Sequence, residues 1–377
     1  MKKLLFSFLF FLSLFLSAQQ DSCRINISLL TCTPGDELYS TFGHSAIRIV
    51  DSANNTDLVF NYGTFDFNDP QFYTKFTRGK LLYFVSVDSL PSFLWEYQYY
   101  KRGVTEQVLN LSCEEKKNMF SALLENAKEE NKYYKYDFNY DNCTTRLRDI
   151  LEKTTGKVLE TKNILPGPKT TFRSLIHDYL DKGGEQWSKL GIDILLGYPL
   201  DKKVTNREAM FLPEYLLAAF DSSTLNNKPL IVQKNILLIR GTEKKPTLVF
   251  TPLIVFGILF LLIVLISFLS PGSLIIFDFV FFLLLGLLGA FLIFMWFGTD
   301  HHMTKDNFNL LWALPLHLPV ALFLFSKKNW LKDYFRFIFF YSLALLAAWF
   351  LLPQHLNISL LPIVGIVLVR SYFRSKE

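Results

Sequence analysis

The chain has 377 residues, of which half are hydrophobic and only 19% are charged, and it contains 38 phenylalanines. This composition argues against a wholly soluble protein, because the hydrophobic excess is concentrated at the two ends of the chain. The net charge of +5 is mild and no basic run is interleaved with aromatic residues, so nucleic-acid binding is not expected.

Residues 1–18 have the composition of a secretory signal peptide. Lys2 and Lys3 precede an apolar stretch, and Ser17 and Ala18 are small residues at the expected cleavage position. Cys23 does not follow that position directly, so the chain is not expected to be a lipoprotein itself. Whether the segment is cleaved or remains as an anchor, residue 20 onward is predicted to lie outside the cytoplasm.

Residues 20–245 are predicted to form a globular α+β domain. Alternating apolar residues bounded by turn residues predict strands over 45–50, 58–62, 81–87 and 104–111. Ser112 and Glu115 form a capping box that predicts a helix from Cys113 to about residue 131. A second helix is predicted over 143–155, and 170–221 has a helical pattern. Asp141 or Asn142 would cap the second helix, and Gly156 would end it.

Cys143 stands in the first turn of the second predicted helix. The partial positive charge of a helix N-terminus stabilises a thiolate, so we expect a depressed pKa for this thiol. The free backbone N–H groups of the first turn are candidate donors to an oxyanion. Position alone favours an ordinary buried cysteine, because Cys143 shares an apolar face with Leu147 and Leu151.

His44 begins the first predicted strand and Asn61 ends the second. In an antiparallel hairpin these two ends lie opposite each other, so Asn61 is placed to hold the imidazole of His44. A cysteine, a histidine and an orienting amide make up the set required for thiol catalysis. Asp66 is an alternative orienting residue. If Cys143 is a free nucleophile, at most one disulfide remains, and Cys23–Cys32 is the candidate pair.

Residues 248–372 are predicted to be a transmembrane domain of about five helices, with four as the alternative. The apolar runs are 248–269, 274–297, 310–325, 335–352 and 358–372. With the globular domain outside, the basic loop after the third run and the basic tail both fall on the cytoplasmic side, as the positive-inside rule requires.

The loop between the second and third runs is predicted to lie outside and to bind substrate. A histidine pair beside an aspartate raises the question of a metal, but no further ligands stand at matching spacing, so none is predicted. Positioning a lipid head group and acting as a solvated loop remain the open alternatives. The polar residues in question, with the interfacial Trp312, are Asp300, His301, His302, Asn307 and Asn309.

These residues resemble a known family. A histidine at a strand start, a polar residue at the next strand end and a later Asn-Cys at a helix start resemble the permuted papain-like fold of the lecithin:retinol acyltransferase class. The closer resemblance is to the Lnb family of lipoprotein N-acyltransferases of Bacteroidota, carried by residues 31–49, 60–67, 134–149 and 300–315. It covers nearly the whole chain. The acyltransferase class often has histidine as the orienting residue, and Asn61 departs from that.

The resemblance implies an acyltransferase of the bacterial inner membrane with its catalytic domain in the periplasm. Cys143 would be the nucleophile, His44 the base and Asn61 the orienting residue, with no cofactor. The donor would be a phospholipid and the acceptor a diacylated lipoprotein. Tyr62 and Arg146 are further predicted substrate contacts, although packing and a surface ion pair are their alternatives. Two other functions stay open: a membrane-anchored cysteine hydrolase of peptidoglycan or lipid esters, and a non-catalytic envelope scaffold.

Overall fold

The computed structural model describes residues 23–241, 249–326 and 328–376. The predicted signal peptide, residues 1–18, lies outside them, as does Lys327 of the basic loop. The described chain has an antiparallel sheet with helices in its first part and a helical second part. The α+β prediction with a membrane-helix region is therefore confirmed.

The strands of the described residues are β1 Ile25–Cys32, β2 His44–Asp51, β3 Thr56–Thr64, β4 Leu82–Ser89, β5 Val104–Leu109, β6 Tyr133–Lys135, β7 Thr224–Leu225, β8 Lys228–Pro229 and β9 Ile231–Leu238. Seven of them form one sheet in the order β6-β4-β3-β2-β1-β5-β9, and β7 pairs with β8 in a separate hairpin. The predicted strands are all present. Strand β1, which lies beside β2 in the middle of the sheet, was not predicted, because its last six residues are all buried and lack the alternation of a half-exposed strand.

Within residues 23–241, eight α-helices surround this sheet or extend from it. They are α1 Phe72–Thr77, α2 Leu90–Tyr99, α3 Cys113–Asn126, α4 Cys143–Thr155, α5 Phe172–Lys182, α6 Gln186–Leu195, α7 Asn206–Ala209 and α8 Pro213–Ser222. Two of the three predicted caps are confirmed here: Ser112 and Glu115 form the capping box of α3, and Gly156 ends α4 in the left-handed conformation at φ 68°. Helices α1 and α2 were not predicted.

One end of the sheet collects the residues that matter for the site. Cys32 at the end of β1 pairs with His44 at the start of β2 and with Val104 at the start of β5. The end of β3 and the start of β4 lie at this same end. The pairing also separates Cys23 from Cys32. They stand at opposite ends of β1, about 30 Å apart, so they cannot form the candidate disulfide, and both thiols are free.

The second part has its own apolar core, which also packs on Leu190 of α6. Its helices are α9 Pro252–Leu269, α10 Ile275–Phe297, α11 His317–Phe323, α12 Asn329–Ala348 and α13 Leu361–Arg374, with short 3-10 turns at Pro271–Leu274, Phe308–Leu311, Trp349–Leu351 and Ile358–Leu360.

Among the described residues, three helical stretches are long and apolar enough to cross a membrane: Pro252–Leu269, Pro271–Phe297 and Asn329–Leu351. The predicted run 310–325 is not one helix, since α11 has only seven residues and Pro315 stands just before it. Seven residues of helix span about 10 Å, well short of a bilayer core. Five spans therefore remain a prediction.

Candidate active site

His44 owes its position to the residue before it. Gly43 has φ +82°, and a Cβ there would lie 2.8 Å from the carbonyl oxygen of Cys32. Only glycine fits this conformation and this close approach of the backbone to β1. The turn therefore delivers His44 as the first residue of β2, at the end of the sheet.

The start of α4 is fixed by Asn142. Its Oδ1 accepts hydrogen bonds from the backbone N–H groups of Thr144 and Thr145, at 2.9 and 2.8 Å. Its Nδ2 donates to the carbonyl oxygens of Phe138 and Phe211, both at 2.8 Å. Asn142 is thus the predicted cap, and its side chain ties the helix start to two loops. Cys143 follows as the first residue of the helix.

His44 and Asn61 form a hydrogen bond of 2.6 Å between Nε2 and Oδ1. The register differs from the expected one by two residues, because Ile47 pairs with Phe60. Continuing that register puts His44 diagonal to Asn61 on one face of the sheet. Since the amide oxygen only accepts, Nε2 carries the hydrogen and Nδ1 is left to face Cys143.

The thiol of Cys143 is polarised by its neighbours. Burial raises its pKa, but the charge of His44, hydrogen bonds with His44 and the Thr144 hydroxyl, and the backbone N–H of Ser45 lower it to about 7. Burial alone would lower the pKa of His44, but the charge of Cys143 and hydrogen bonds with Cys143 and Asn61 raise it overall. Both shifts favour a thiolate–imidazolium pair near neutral pH.

The pair lies at the margin of the core. Cys143 keeps 9% of its surface exposed and His44 is partly exposed. The first turn of α4 is poorer in free donors than the sequence suggested, because Asn142 already occupies two of its N–H groups. Within residues 23–241, 249–326 and 328–376, the Cys143 N–H has no hydrogen-bond partner. It is the donor of that turn left for an oxyanion.

Three neighbours of the thiol were not predicted from the sequence. The Thr144 hydroxyl lies 3.5 Å from Sγ, and the Ser45 N–H points to it from β2. Tyr136 packs beside Gly63, which itself faces Cys143. Thr144 and Ser45 directly follow Cys143 and His44, and that adjacency was the available signal. Tyr136 had none, because only the fold brings it there.

Tyr62 and Arg146, whose contact with substrate stays a prediction, make the packing and ion-pair contacts that the sequence left as alternatives. Tyr62 is 1% exposed in the core, and its hydroxyl accepts a hydrogen bond of 2.8 Å from Asn126. Its position in β3 points it to the packed face. Arg146 makes a two-pronged ion pair with Asp141, at 2.6 and 2.9 Å, and stacks on Tyr134. Both side chains stabilise the surroundings of the thiol.

Residues 300–302, the first half of the loop after α10, reach the part of the sheet domain that lies near Cys143. His301 Nε2 donates to the carbonyl oxygen of Phe76 at 3.0 Å, and His302 Nδ1 donates to Asp137 at 2.9 Å. Asp300 pairs with Lys135 at 3.3 Å. Lys135 and Asp137 flank Tyr136, so this half-loop lies beside the wall of the site, and its side chains stay largely exposed.

The second half of the loop is buried in the junction between the two parts. Asn309 Nδ2 donates to the carbonyl oxygen of Asp193, and Asn307 Nδ2 donates to those of Ile194 and Leu195. Trp312 Nε1 donates to Asn309 Oδ1 at 2.9 Å. These three predicted substrate residues, Asn307, Asn309 and Trp312, instead hold the end of α6 against the membrane helices.

The junction includes residues that were given no such role. Asp193 is completely buried and accepts from Arg173 at 2.6 Å, from His177 at 2.8 Å and from Asn357 at 2.9 Å. Asp66 accepts from the backbone N–H of Asn68 in a turn, whereas Asn61 holds His44.

Two family models match the chain. The model of the Lnb N-terminal periplasmic domain matches residues 15–178. The model of the Lnb transmembrane domain matches residues 243–376. No curated protein and no solved structure matches. The two models cover the part that holds the sheet and the helical part in the order that the resemblance implies.

Proposed function

The chain belongs to the Lnb family and is a membrane protein with a periplasmic domain, and on that premise we propose that it moves a fatty acyl chain from a phospholipid to the N-terminal amine of a diacylated lipoprotein. The observation that carries this proposal is the polarised Cys143–His44 pair, located at the end of the sheet that meets the loop after α10. A nucleophile for lipid esters has to be held at the membrane surface, since its substrates do not leave the bilayer.

In the first half-reaction the Cys143 thiolate attacks an ester carbonyl carbon of the phospholipid. The carbon–sulfur bond forms and the carbon–oxygen bond to the glycerol breaks. The His44 imidazolium gives its proton to the leaving oxygen, which departs as lysophospholipid. Asn61 holds the ring by Nε2 while Nδ1 transfers the proton.

In the second half-reaction the α-amine of the diacylglyceryl-cysteine attacks the thioester carbonyl. The carbon–nitrogen bond forms, the carbon–sulfur bond breaks and His44 takes the amine proton. The thiolate–imidazolium pair is thereby restored. The covalent intermediate divides a transfer between two bulky lipids into two simpler steps. The Cys143 N–H is the backbone donor proposed for the oxyanion in both steps.

The test compares cells that lack this protein with cells complemented by the wild type or by Cys143→Ser. Mass spectrometry of lipoprotein N-termini should show N-acylation with the wild type and its loss in the other two strains. A palmitoyl thioester trapped on Cys143 would identify the intermediate directly. N-acylation that persists in the deletion strain, with no redundant enzyme present, would overturn the proposal.

The hydrolase alternative gives a different result with purified protein. With water as acceptor, the reconstituted protein would release free fatty acid from phospholipid and leave the lipoprotein amine unmodified. A scaffold would tolerate Cys143→Ser with full function in cells.

A further inference from the structure

An aromatic segment, residues 65–80, lies between β3 and β4 at the same end of the sheet as His44. Its rings form a connected cluster: Phe65 contacts Phe67 and Phe72, and Phe72 contacts Tyr73 and Phe76. Three rings face outward, since Tyr73 is 81% exposed, Phe67 is 67% exposed and Phe76 is 51% exposed. A clustered set of exposed aromatic side chains marks an interaction surface.

The aromatic segment is tied to the outer end of a candidate membrane span. Helix α10 ends at Phe297, and the Asp300 N–H donates to the carbonyl oxygen of Arg78 at 3.0 Å. His301 donates to the carbonyl oxygen of Phe76. Gly79 packs so closely that a Cβ there would lie 3.2 Å from the His301 nitrogen. Asp300 follows Phe297 by three positions, so the segment lies within about 10 Å of the helix end.

The charges around the segment suit a phospholipid surface. Lys75 is paired with Asp69, whereas Arg78 and Lys80 are exposed at the side that meets the loop, where with Lys135 they outnumber the nearby carboxylate of Asp300. Asp66 is the exposed acidic residue of the segment, and it lies near the N-terminal end of the segment, whereas Arg78 and Lys80 lie near the C-terminal end. Aromatic rings at the head-group level with basic side chains beside them are typical of elements that rest in a membrane interface.

Ring contacts continue from the aromatic segment to the thiol. Phe65 contacts Tyr83 with ring centroids 5.1 Å apart, and Tyr83 stacks on Tyr136 at 4.3 Å. Gly63 has both Tyr136 and Cys143 as its nearest neighbours. An apolar wall therefore runs from the outward-facing rings to the nucleophile.

We propose that the aromatic segment inserts Phe67, Tyr73 and Phe76 into the outer leaflet of the membrane and guides a phospholipid acyl ester along the Phe65–Tyr83–Tyr136 wall to Cys143. The insertion stands on the segment's own contacts, whereas the guiding role rests on the proposed function. The partner is the phospholipid bilayer.

Photo-crosslinking tests the insertion without reference to catalysis. A benzophenone amino acid replaces Tyr73 in the full-length protein, which is reconstituted in phosphatidylethanolamine–phosphatidylglycerol vesicles and irradiated. We expect phospholipid adducts at residue 73. The matched control carries the same group at Val158, which is 71% exposed and lies beyond the far end of α4, about 20 Å from Cys143. Adducts at neither position, or at both equally, would overturn the insertion.

A kinetic experiment tests the guiding role. The Tyr73→Ser/Phe76→Ser variant should form the Cys143 thioester about tenfold more slowly from vesicle phospholipid. Its reaction with a water-soluble short-chain ester should stay unchanged, which also controls for folding. Equal rates with vesicle lipid would refute the guiding role. If the wild type forms no thioester from phospholipid, the proposed function fails, and the crosslinking result still decides the insertion.

Discussion

Two polar clusters, one at the margin of the core and one buried at the junction, use similar side chains with different degrees of hydrogen-bond saturation. At the thiol site, Cys143, His44 and Asn61 leave hydrogen-bonding capacity open, namely the Cys143 N–H and the labile proton of the Cys143–His44 pair. At the junction, Asp193 accepts from three side chains, and the amides of Asn307 and Asn309 are occupied by backbone carbonyls.

The difference teaches where chemistry and stability reside in this chain. A saturated cluster resists change, because losing any member leaves a buried charge or amide without a partner. An unsaturated cluster holds a reactive group ready for a substrate. The outer loop shows both behaviours: its exposed histidines lie by the site and its buried asparagines hold the junction.

The largest expected effect is a difference in acyl transfer between substitutions of two cysteines that occupy the same position in a helix. Cys143 and Cys113 are each the first residue of a helix with a capping box, but only Cys143 has His44 against it. Cys143→Ser should lower acyl transfer by about a thousandfold or more, and Cys113→Ser should leave it nearly unchanged. Acyl transfer by the reconstituted variants measures both. Equal losses would mean that position in a helix, not the pairing with histidine, decides the role.

Substitutions at the junction should lower the stability of the fold. Asp193→Ala removes one of the two carboxylates that pair with the buried guanidinium of Arg173 and leaves Asp201 as the other, so we expect a loss of about 3 kcal/mol. Asp178→Ala breaks an exposed pair with Lys182 and should cost less than about 1 kcal/mol. Thermal unfolding of the full-length protein in detergent measures the two. A small effect at Asp193 would contradict the saturated-cluster interpretation.

The thiol should titrate near neutral pH. Because its pKa is lowered to about 7, Cys143 is a thiol below that pH and a thiolate above it. Its alkylation by iodoacetamide should therefore rise with pH and reach half its maximum near pH 7, followed by mass spectrometry of the Cys143 peptide. In His44→Ala, burial remains and the stabilising charge is gone, so the midpoint should move to higher pH. An unchanged midpoint would contradict the proposed pairing of Cys143 with His44.

A smaller effect is expected from the orienting residue. Asn61→Ala removes the oxygen that holds Nε2–H, and we expect acyl transfer to fall about 10- to 100-fold. Asn61→Asp keeps an acceptor at that place and should retain most of the activity. The ratio of the acyl-transfer rates of the two variants distinguishes an orienting role from a packing role. If Asn61 only packs, both substitutions should lower the rate equally.

The smallest effect belongs to the exposed half of the loop. His302 is 66% exposed on its side chain and pairs with Asp137. His302→Ala should change stability by less than about 1 kcal/mol and acyl transfer only slightly, in contrast to Asn309→Ala in the buried half. A large loss of transfer by His302→Ala, with unchanged unfolding temperature, would instead indicate a direct substrate contact.

Local features were well predicted from the sequence. The capping residues Ser112 and Asn142 act on amides within three positions, and Gly156 needs only its own backbone freedom. The His44–Asn61 contact was also anticipated, although through a register two residues away from the real one, since a hairpin fixes such a contact only approximately.

Tertiary structure alone decided the rest. No local pattern shows that Asn309 is buried while His302 is exposed. The amide of Asn309 contacts the end of α6 and the imidazole of His302 contacts Asp137, and both partners are far away along the chain. The aromatic segment becomes a membrane-facing surface only when the loop after α10 packs on it. Hydrogen-bond saturation depends on partners brought together by folding, so the sequence determined which groups were available and the fold decided which of them remained unsatisfied.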